Sequence, residues 1–579
     1  MNSQTKTCQN CKQDFTIEPE DFDFYTKIKV PPPTFCPECR MIRRLTWRNE
    51  RSLFKRTCAK TGKQVITMFH PEAPVVVYDR DIWWSDEWDP IEFGQEYDFS
   101  RPFFEQFQKL LSLVPLANLG NTNVVNSPYG NHNADCKDCY LTFASFNNER
   151  VAYSRGAVEL KDCMDIDTVE KSEQSSNDVI CTGLYQTHYS YNTDESINSF
   201  FLQHSKNLRD CIGCINLRNK QYCIYNTQYT KEEYMDQKKS LDFGSYKALS
   251  NFEEKYSDFV LKFPHKYGNI GKSVNATGDN IGNSKNVKYC FDVFGEVEDS
   301  KYISHVIDLK EGYDGYGCGG GATLLYEGID SGIKAANQYF AVLTHSSFNT
   351  RYTYMCYNSK NLFGCIGLRK KEYCILNKQY TKEEYETLVP KIIEHMRAVP
   401  YLDAKGQVYR YGEFFPSEIS PFAYNETIAQ EYFPKKEEEI QAQGYLFRKP
   451  EHKDYKITKQ ASELPDHINE LENSILNETI ACLGGGSELT QCTGAYRITS
   501  EELLFLKKNS IAAPRHCPNC RHYKRLRLRN PLKLWHRSCM CEEGSHEHSG
   551  KCSNEFETSY APERPEKVYC ESCYQKEVI

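Results

Sequence analysis

Between residues 131 and 234 short apolar runs alternate with polar turns. The segments KDCYLT, NERVAYS, KDCMDI, NDVICT, NSFFLQ, RDCIGC and KQYCIY each follow a turn of Asn, Asp or Lys with a brief alternating run, and their centres recur every 11 to 13 residues in most intervals, with longer steps of 16 and 21. That period is strand chemistry. Two such units per turn predict a coil of about 22 residues, in the range of β-solenoids, with small thiols and aromatics stacked in columns inside. A pair of antiparallel β-sandwiches is the other architecture that fits.

The same pattern returns at an offset of 151, where GCINLRNKQYCIYNTQYTKEEY (from Gly213) and GCIGLRKKEYCILNKQYTKEEY (from Gly364) agree at 17 of 22 positions. Each copy ends in QYTKEEY. Thr230 with Glu233, and Thr381 with Glu384, have the spacing of a capping box, so a helix is predicted to begin after each copy and cover its open strand edge. The glycine-rich run from Gly317 to Gly321 lacks the GK[ST] and the helix of a phosphate loop and reads as a tight turn. Residues 435–470, with KKEEE and RKPEHKDYK, read as a solvated charged linker.

Both ends carry paired cysteines. Cys8 and Cys11 (CQNC) and Cys36 and Cys39 (CPEC) form two knuckles that can surround one Zn²⁺ tetrahedrally. Adding 481 maps CPECRMIRRLTWRNERSLFKRTC onto CPNCRHYKRLRLRNPLKLWHRSC with 11 of 23 identities, so the two ends are copies of one module. Leu489 falls where Cys8 would map, leaving Cys492, Cys517 and Cys520, with Cys482 the nearest fourth ligand. A second C-terminal site is expected at Cys539, Cys552, Cys570 and Cys573, with Cys541, His546 and His548 as alternative ligands. Its N-terminal counterpart reads Cys58, Thr61, Asp79 and Ile82, which is too poor in ligands to keep a metal. The expected cofactor is therefore zinc, about three ions. Thiolate-rich sites have weak Lewis acidity, which argues for structural rather than catalytic metal.

With 26 cysteines in a chain that opens on MNSQTKTCQN, without the regions of a secretory signal, a reducing cytoplasm is expected. No run approaches a membrane span. In the middle, Cys136/Cys139 and Cys211/Cys214 have CxxC spacing, but Val287 and Leu362 replace Cys136 and Cys211 in the second copy, so core packing is the expected role. Net charge is -8, so any polyanion binding must be local. Two basic strips qualify: Arg40, Arg43, Arg44, Arg48 and Arg51 after the first knuckle, and Arg521, Lys524, Arg525, Arg527 and Arg529 after the second, with Trp47 and Trp535 beside them. They could contact RNA, the ribosome or DNA through phosphates, or pair internally with acids such as Glu18, Glu20 and Asp21. WWSDEWD, from Trp83 to Asp89, reads as a wedge seating one domain on another. Asp165 and Asp167, two apart on one strand face, are the one carboxylate pair that a polysaccharide-cleaving β-helix would need; no GxSxG, HExxH or Walker motif is present.

The resulting expectation is a mainly β protein, its duplicated solenoid-like middle flanked by zinc-ribbon modules with short capping helices. The segments are a module at 1–90, a helical and aromatic linker at 91–130, the first β repeat at 131–234, a helical insert at 235–283, the second repeat at 284–385, a helical and charged linker at 386–480, and a double zinc module at 481–579. It reads as a zinc-binding scaffold that is not an enzyme and that touches nucleic acid or an acidic partner through its basic strips. A protein-interaction platform and a β-helix hydrolase or lyase are the alternatives. CPECRMIRRLTWRNERSLFKR, WWSDEWD, DFSRPFFEQF, LRNKQYCIYN and YAPERPEKVYCESCYQKEV together resemble a family of uncharacterised zinc-ribbon proteins of candidate-phyla bacteria. Some members carry a CoA-transferase label, for which this chain has no nucleophile motif. The resemblance implies Cys at the positions of Thr61, Asp79 and Ile82.

Overall fold

A computed structural model describes residues 2–450, 455–546 and 548–578. The chain divides into two compact units made of non-adjacent segments. Unit 1 joins Met1–Leu119 to Gly268–Arg448 and Leu532–Leu534; unit 2 joins Gly120–Tyr267 to Lys449–Pro531 and Trp535–Ile579. Each unit thus combines one terminal cysteine module with one copy of the internal repeat, and the N-terminal module is partnered by the second copy.

Both repeats are parallel ladders. In unit 2, Asp167 pairs with Val179, Val151 with Cys163 and Cys211 with Cys223, and isolated parallel bridges continue the same step. The chain therefore returns to the neighbouring rung after 12 residues, where about 22 were expected, and the parallel sense overturns the antiparallel sandwich. The short step comes from a three-residue unit. Asp135, Asp138, Asn147, Asp162, Asp165, Asn177, Asn192 and Asn207 all have left-handed φ, and the residue after each, such as Cys136, Cys139, Asn148 and Cys163, is buried. Asn and Asp enter that region at lower cost than other non-glycine residues, because their short side chains bond locally. Successive rungs also align them: Asn126 Nδ2 donates to Asp138 Oδ1 at 2.7 Å and Asn207 Nδ2 to Asn219 Oδ1 at 2.7 Å. The buried positions stack by rung, so the column through Val151 and Cys163 continues downstream to Cys211 and Cys223. Their thiols donate to backbone carbonyls, as Cys163 does to Lys161 at 3.3 Å.

In unit 1 a ten-stranded sheet runs in sequence order from Ile270–Gly271 to Lys378–Gln379. Its rungs advance by 11 residues at the start and by 12 or 13 further on, as in Ile270 to Ile281, Val297 to Leu309 and Phe291 to Ser304, with register shifts that mark bulges. The glycine run lies at one of them rather than in a turn: Gly319 opens the strand Gly319–Ile329, beside a shift between Ile307 and Leu309. At its φ of +122°, an added Cβ would stand 2.0 Å from the Ile307 carbonyl oxygen, whereas a Cβ on Gly321 meets nothing within 4 Å. Gly319→Ala is expected to lower the thermal midpoint of unit 1 by the equivalent of about 1–3 kcal/mol, with Gly321→Ala the milder of the two; scanning calorimetry of both variants checks the order.

Each repeat ends in a short antiparallel hairpin and then a helix, Lys231–Ser240 or Lys382–Ala398. The Thr230–Glu233 and Thr381–Glu384 capping boxes form as expected. The charged stretch is more structured than a linker: Glu437–Ala442 is helical with Ile440 fully buried. The EHKD part of RKPEHKDYK lies outside the described residues. Among the described residues no helix is long and apolar enough to cross a membrane.

Candidate metal centres

Cys8 and Cys11 sit in the turn of the hairpin Gln4–Thr7/Asp14–Ile17, and Cys36 caps the helix Pro37–Leu45, whose first turn carries Cys39. Pro37 suits that start because its absent N–H would have been unsatisfied there, and the helix N-terminus favours negative sulfur. The four sulfurs lie within 4.8 Å of one another, a grouping that could hold a metal ion. The Cys36 amide donates to Cys8 Sγ at 3.2 Å and Asn10 Nδ2 to Cys39 Sγ at 3.2 Å. Hydrogen bonds from the Cys36 and Cys39 thiols hold Cys8 well below the usual thiol range, while Cys36 and Cys39 stand above it.

The C-terminal copy repeats this geometry with Cys482 in the place of Cys8. Cys482, Cys492, Cys517 and Cys520 converge within 4.8 Å. The Cys517 amide donates to Cys482 Sγ at 3.1 Å, and the Cys482 amide to the Gly494 carbonyl at 2.9 Å, matching Cys36 to Cys8 and Cys8 to Gln13 at 2.8 Å. A gapless alignment puts Leu489 opposite Cys8 because the loop between Cys482 and Cys492 is longer. Gly484 makes that loop possible: its amide donates to Cys482 Sγ at 3.3 Å, and a Cβ there would lie 2.6 Å from Cys520 Sγ. Hydrogen bonds from Cys482 and Cys520 draw Cys517, the counterpart of Cys36, far down.

Further along the C-terminal module Cys539, Cys552, Cys570 and Cys573 form a third, fully buried group, and Cys541, His546, His548 and Cys573 a fourth. Burial opposes ionisation of Cys570, but Asn554 and Ser572 bonding to its sulfur bring it down to about 6. The Cys570 amide donates to Cys539 Sγ at 3.2 Å. In the N-terminal copy the Asp79 amide donates to Cys58 Sγ at the same 3.2 Å. There Asp79 accepts from Asp81 N and caps the helix Arg80–Trp84.

The basic strips lie on the helices that follow the CPxC knuckles. In unit 1, Arg40 Nε bonds Asp314 at 3.0 Å, Arg44 bonds the same carboxylate at 3.1 Å, and Arg43 spans Glu327 and Glu413 at 2.7 Å each. Arg48 pairs with Asp330 and Glu50, and Arg51 lies 3.7 Å from Glu431. In unit 2, Arg525 bonds Asp165 at 2.6 Å, Arg521 bonds Asp165 at 3.1 Å and Glu502 at 2.7 Å, and Arg529 bonds Asp167 at 2.6 Å. Arg40, Arg43, Arg44, Arg48, Arg525 and Arg529 are all buried. This corrects the expectation of an outward cationic ridge at those positions: the helix face that carries them is the docking face, and their partners are acids of the ladder together with Glu50 and Glu413, rather than Glu18, Glu20 or Asp21. Lys524 and Arg527 remain exposed, Lys524 beside Glu253 at 2.5 Å.

Lys524 stands where Arg43 stands in the other module. Burial raises the carboxyls of both Glu327 and Asp178: Glu327 in unit 1 is opposed by the Arg43 and Arg44 charges, whereas Asp178 in unit 2 goes well above the ordinary carboxylate range with only Ser190 bonds and the nearby Arg525 charge in opposition. Asp167 is the reverse: burial opposes its charge, but Arg529 and Arg155 hold it below the usual value. Asp165 and Asp167 thus meet guanidinium groups inside unit 2.

Trp83 is buried, its indole donating to the Pro115 carbonyl at 2.9 Å, and Arg369 lies 5.2 Å and 5.3 Å from the Trp83 and Trp88 ring centres. Lys371 bonds Asp89 at 2.7 Å. The tryptophan segment is the expected wedge, seated on the ladder of unit 1. Trp47, beside the first basic strip, is buried with its ring centre 4.9 Å from that of Phe415. Compared with protein-family models and with the curated proteins, the sequence matches none of either.

Proposed function

We propose that this protein is a zinc-stabilised, non-enzymatic scaffold: two β-solenoid blocks, each fastened to a zinc module, offering surface to a protein partner. The observation that carries the reading is the repeated dock, in which the helix after each CPxC knuckle lays its arginines on a buried ladder acid, Asp314 in one unit and Asp165 in the other. Closed four-cysteine groups suit structural zinc, because catalytic zinc keeps a coordination position open. The carboxylates that would serve a hydrolase are engaged by arginine, and those arginines are thereby withheld from phosphate. All 26 cysteines are free thiols, in keeping with the reducing cytoplasm proposed as its location.

Metal analysis and a binding titration test this together. Purified full-length chain is expected to carry at least one zinc for each four-cysteine group, with a zinc–sulfur distance of about 2.3 Å by X-ray absorption. Protein free of metal when expressed with ample zinc would end the reading. Single-stranded RNA and duplex DNA are expected to bind weakly at low salt. Tight binding that falls steeply with salt would instead restore the nucleic-acid reading, carried by residues such as Arg527 and Lys524.

A further inference from the structure

The C-terminal module contains more ligands than one metal can use. Cys539, Cys552 and Cys570 gather on one side of Cys573, and Cys541, His546 and His548 also gather on it, each set of four within 4.8 Å. We propose that this module holds a binuclear zinc cluster in which the Cys573 thiolate bridges two ions, one completed by Cys539, Cys552 and Cys570, the other by Cys541, His546 and His548. The proposal rests on the reading that these thiolates bind zinc.

The two histidines carry the argument. His546 Nδ1 lies 3.1 Å from Cys541 Sγ, while its Nε2 lies 3.6 Å from the Glu577 carboxylate. His548 Nε2 lies 3.5 Å from Cys573 Sγ, while its Nδ1 lies 2.8 Å from the Gly550 carbonyl oxygen. Behind His548 the Gly550 carbonyl oxygen accepts the Nδ1–H, which leaves the Nε2 lone pair directed at Cys573. Behind His546 the Glu577 carboxylate faces Nε2 at ion-pair distance, so Nδ1 is the nitrogen turned to the cluster. A carboxylate or carbonyl behind the distal nitrogen is how metal-bound histidines are ordinarily oriented.

Burial and charge agree. Cys541, Cys573 and His546 are all buried, so a lone thiol and an imidazole would be enclosed there to little purpose without an ion between them. Five thiolates and two neutral imidazoles around two dications leave a single net negative charge. One zinc on the four-cysteine group alone would leave two, in the same buried volume. A bridging sulfur needs only a second lone pair, which a thiolate has.

Metal counting on the full-length protein separates the possibilities. The wild type is expected to hold four zinc ions per chain, and the double variant Cys541→Ser/His548→Ala three, with the four-cysteine ion retained. After exchange into ¹¹³Cd, two C-terminal resonances coupled to each other through the shared sulfur are expected in the wild type, and this readout needs no variant to fold. Three zinc ions with no cadmium–cadmium coupling would overturn the bridge while leaving the scaffold reading intact, whereas a chain without zinc would overturn both.

Discussion

Asp314→Asn is expected to destabilise unit 1 by about 3–5 kcal/mol, the cost of breaking a buried ion pair by removing one partner. Asp314 is fully buried and is shared by Arg40 at 3.0 Å and Arg44 at 3.1 Å, so neutralising it leaves two guanidinium groups crowded in low dielectric. Glu327, 3.4 Å from Arg44, offers partial compensation, but it also serves Arg43 at 2.7 Å. The measurement is the thermal transition in calorimetry, with limited proteolysis reporting which segments have opened. Combining Asp314→Asn with Arg44→Met is expected to recover part of the loss, since an apolar side chain of similar length carries no unpaired charge. Asp165→Asn is the matching change in unit 2, where Arg521 and Arg525 share the carboxylate. An unchanged transition in both single variants would mean that the arginines do not fasten the modules.

Removing metal is expected to have the larger effect. Structural zinc in small cysteine modules contributes about 10–16 kcal/mol of apparent folding free energy near neutral pH. The segments around these sites are too short in secondary structure to hold without it: the N-terminal knuckle rests on two four-residue strands and a nine-residue helix. A strong chelator is therefore expected to expose the residues around Cys8–Cys39 and Cys482–Cys573 to protease and to release the arginine dock, while re-addition of zinc restores protection. The direction with pH follows from the ligands. Zinc binding requires thiolates, so protonation competes with it and the chelator threshold should fall as pH is lowered below neutrality. Full protection in excess chelator would show that packing alone holds the modules.

Much of the site could be read directly along the chain. Ligand spacing in a knuckle is set by covalent geometry over a few residues, so Cys8, Cys11, Cys36 and Cys39 announce their convergence. The same holds for the capping boxes at Thr230 and Thr381, whose partners lie three residues away. Cys482 was ambiguous for a definite reason: the lengthened loop shifts the ligand without changing its hydrogen bonds, and an ungapped comparison registers only Leu489.

The rung length was legible in principle and read at nearly double its value. Asn and Asp spaced by multiples of three, as in Asp135, Asp138 and Asn147, record left-handed backbone, but Leu141, Ala144, Arg150 and Tyr153 hold the same conformation and blur the period. The fate of the basic strips was not legible at all. Asp314 lies 274 residues from Arg40 and Asp165 360 residues from Arg525, and sequence holds no local trace of which acid will be brought beneath which arginine. A charged helix face looks the same whether it meets water, phosphate or a buried carboxylate. So the chain's own order of residues determined the ligand sets, the duplications and the helix starts, which depend on near neighbours. Only tertiary structure decided that the first module belongs with the second repeat and the last module with the first, because that choice is made by burying arginine on acid across hundreds of residues.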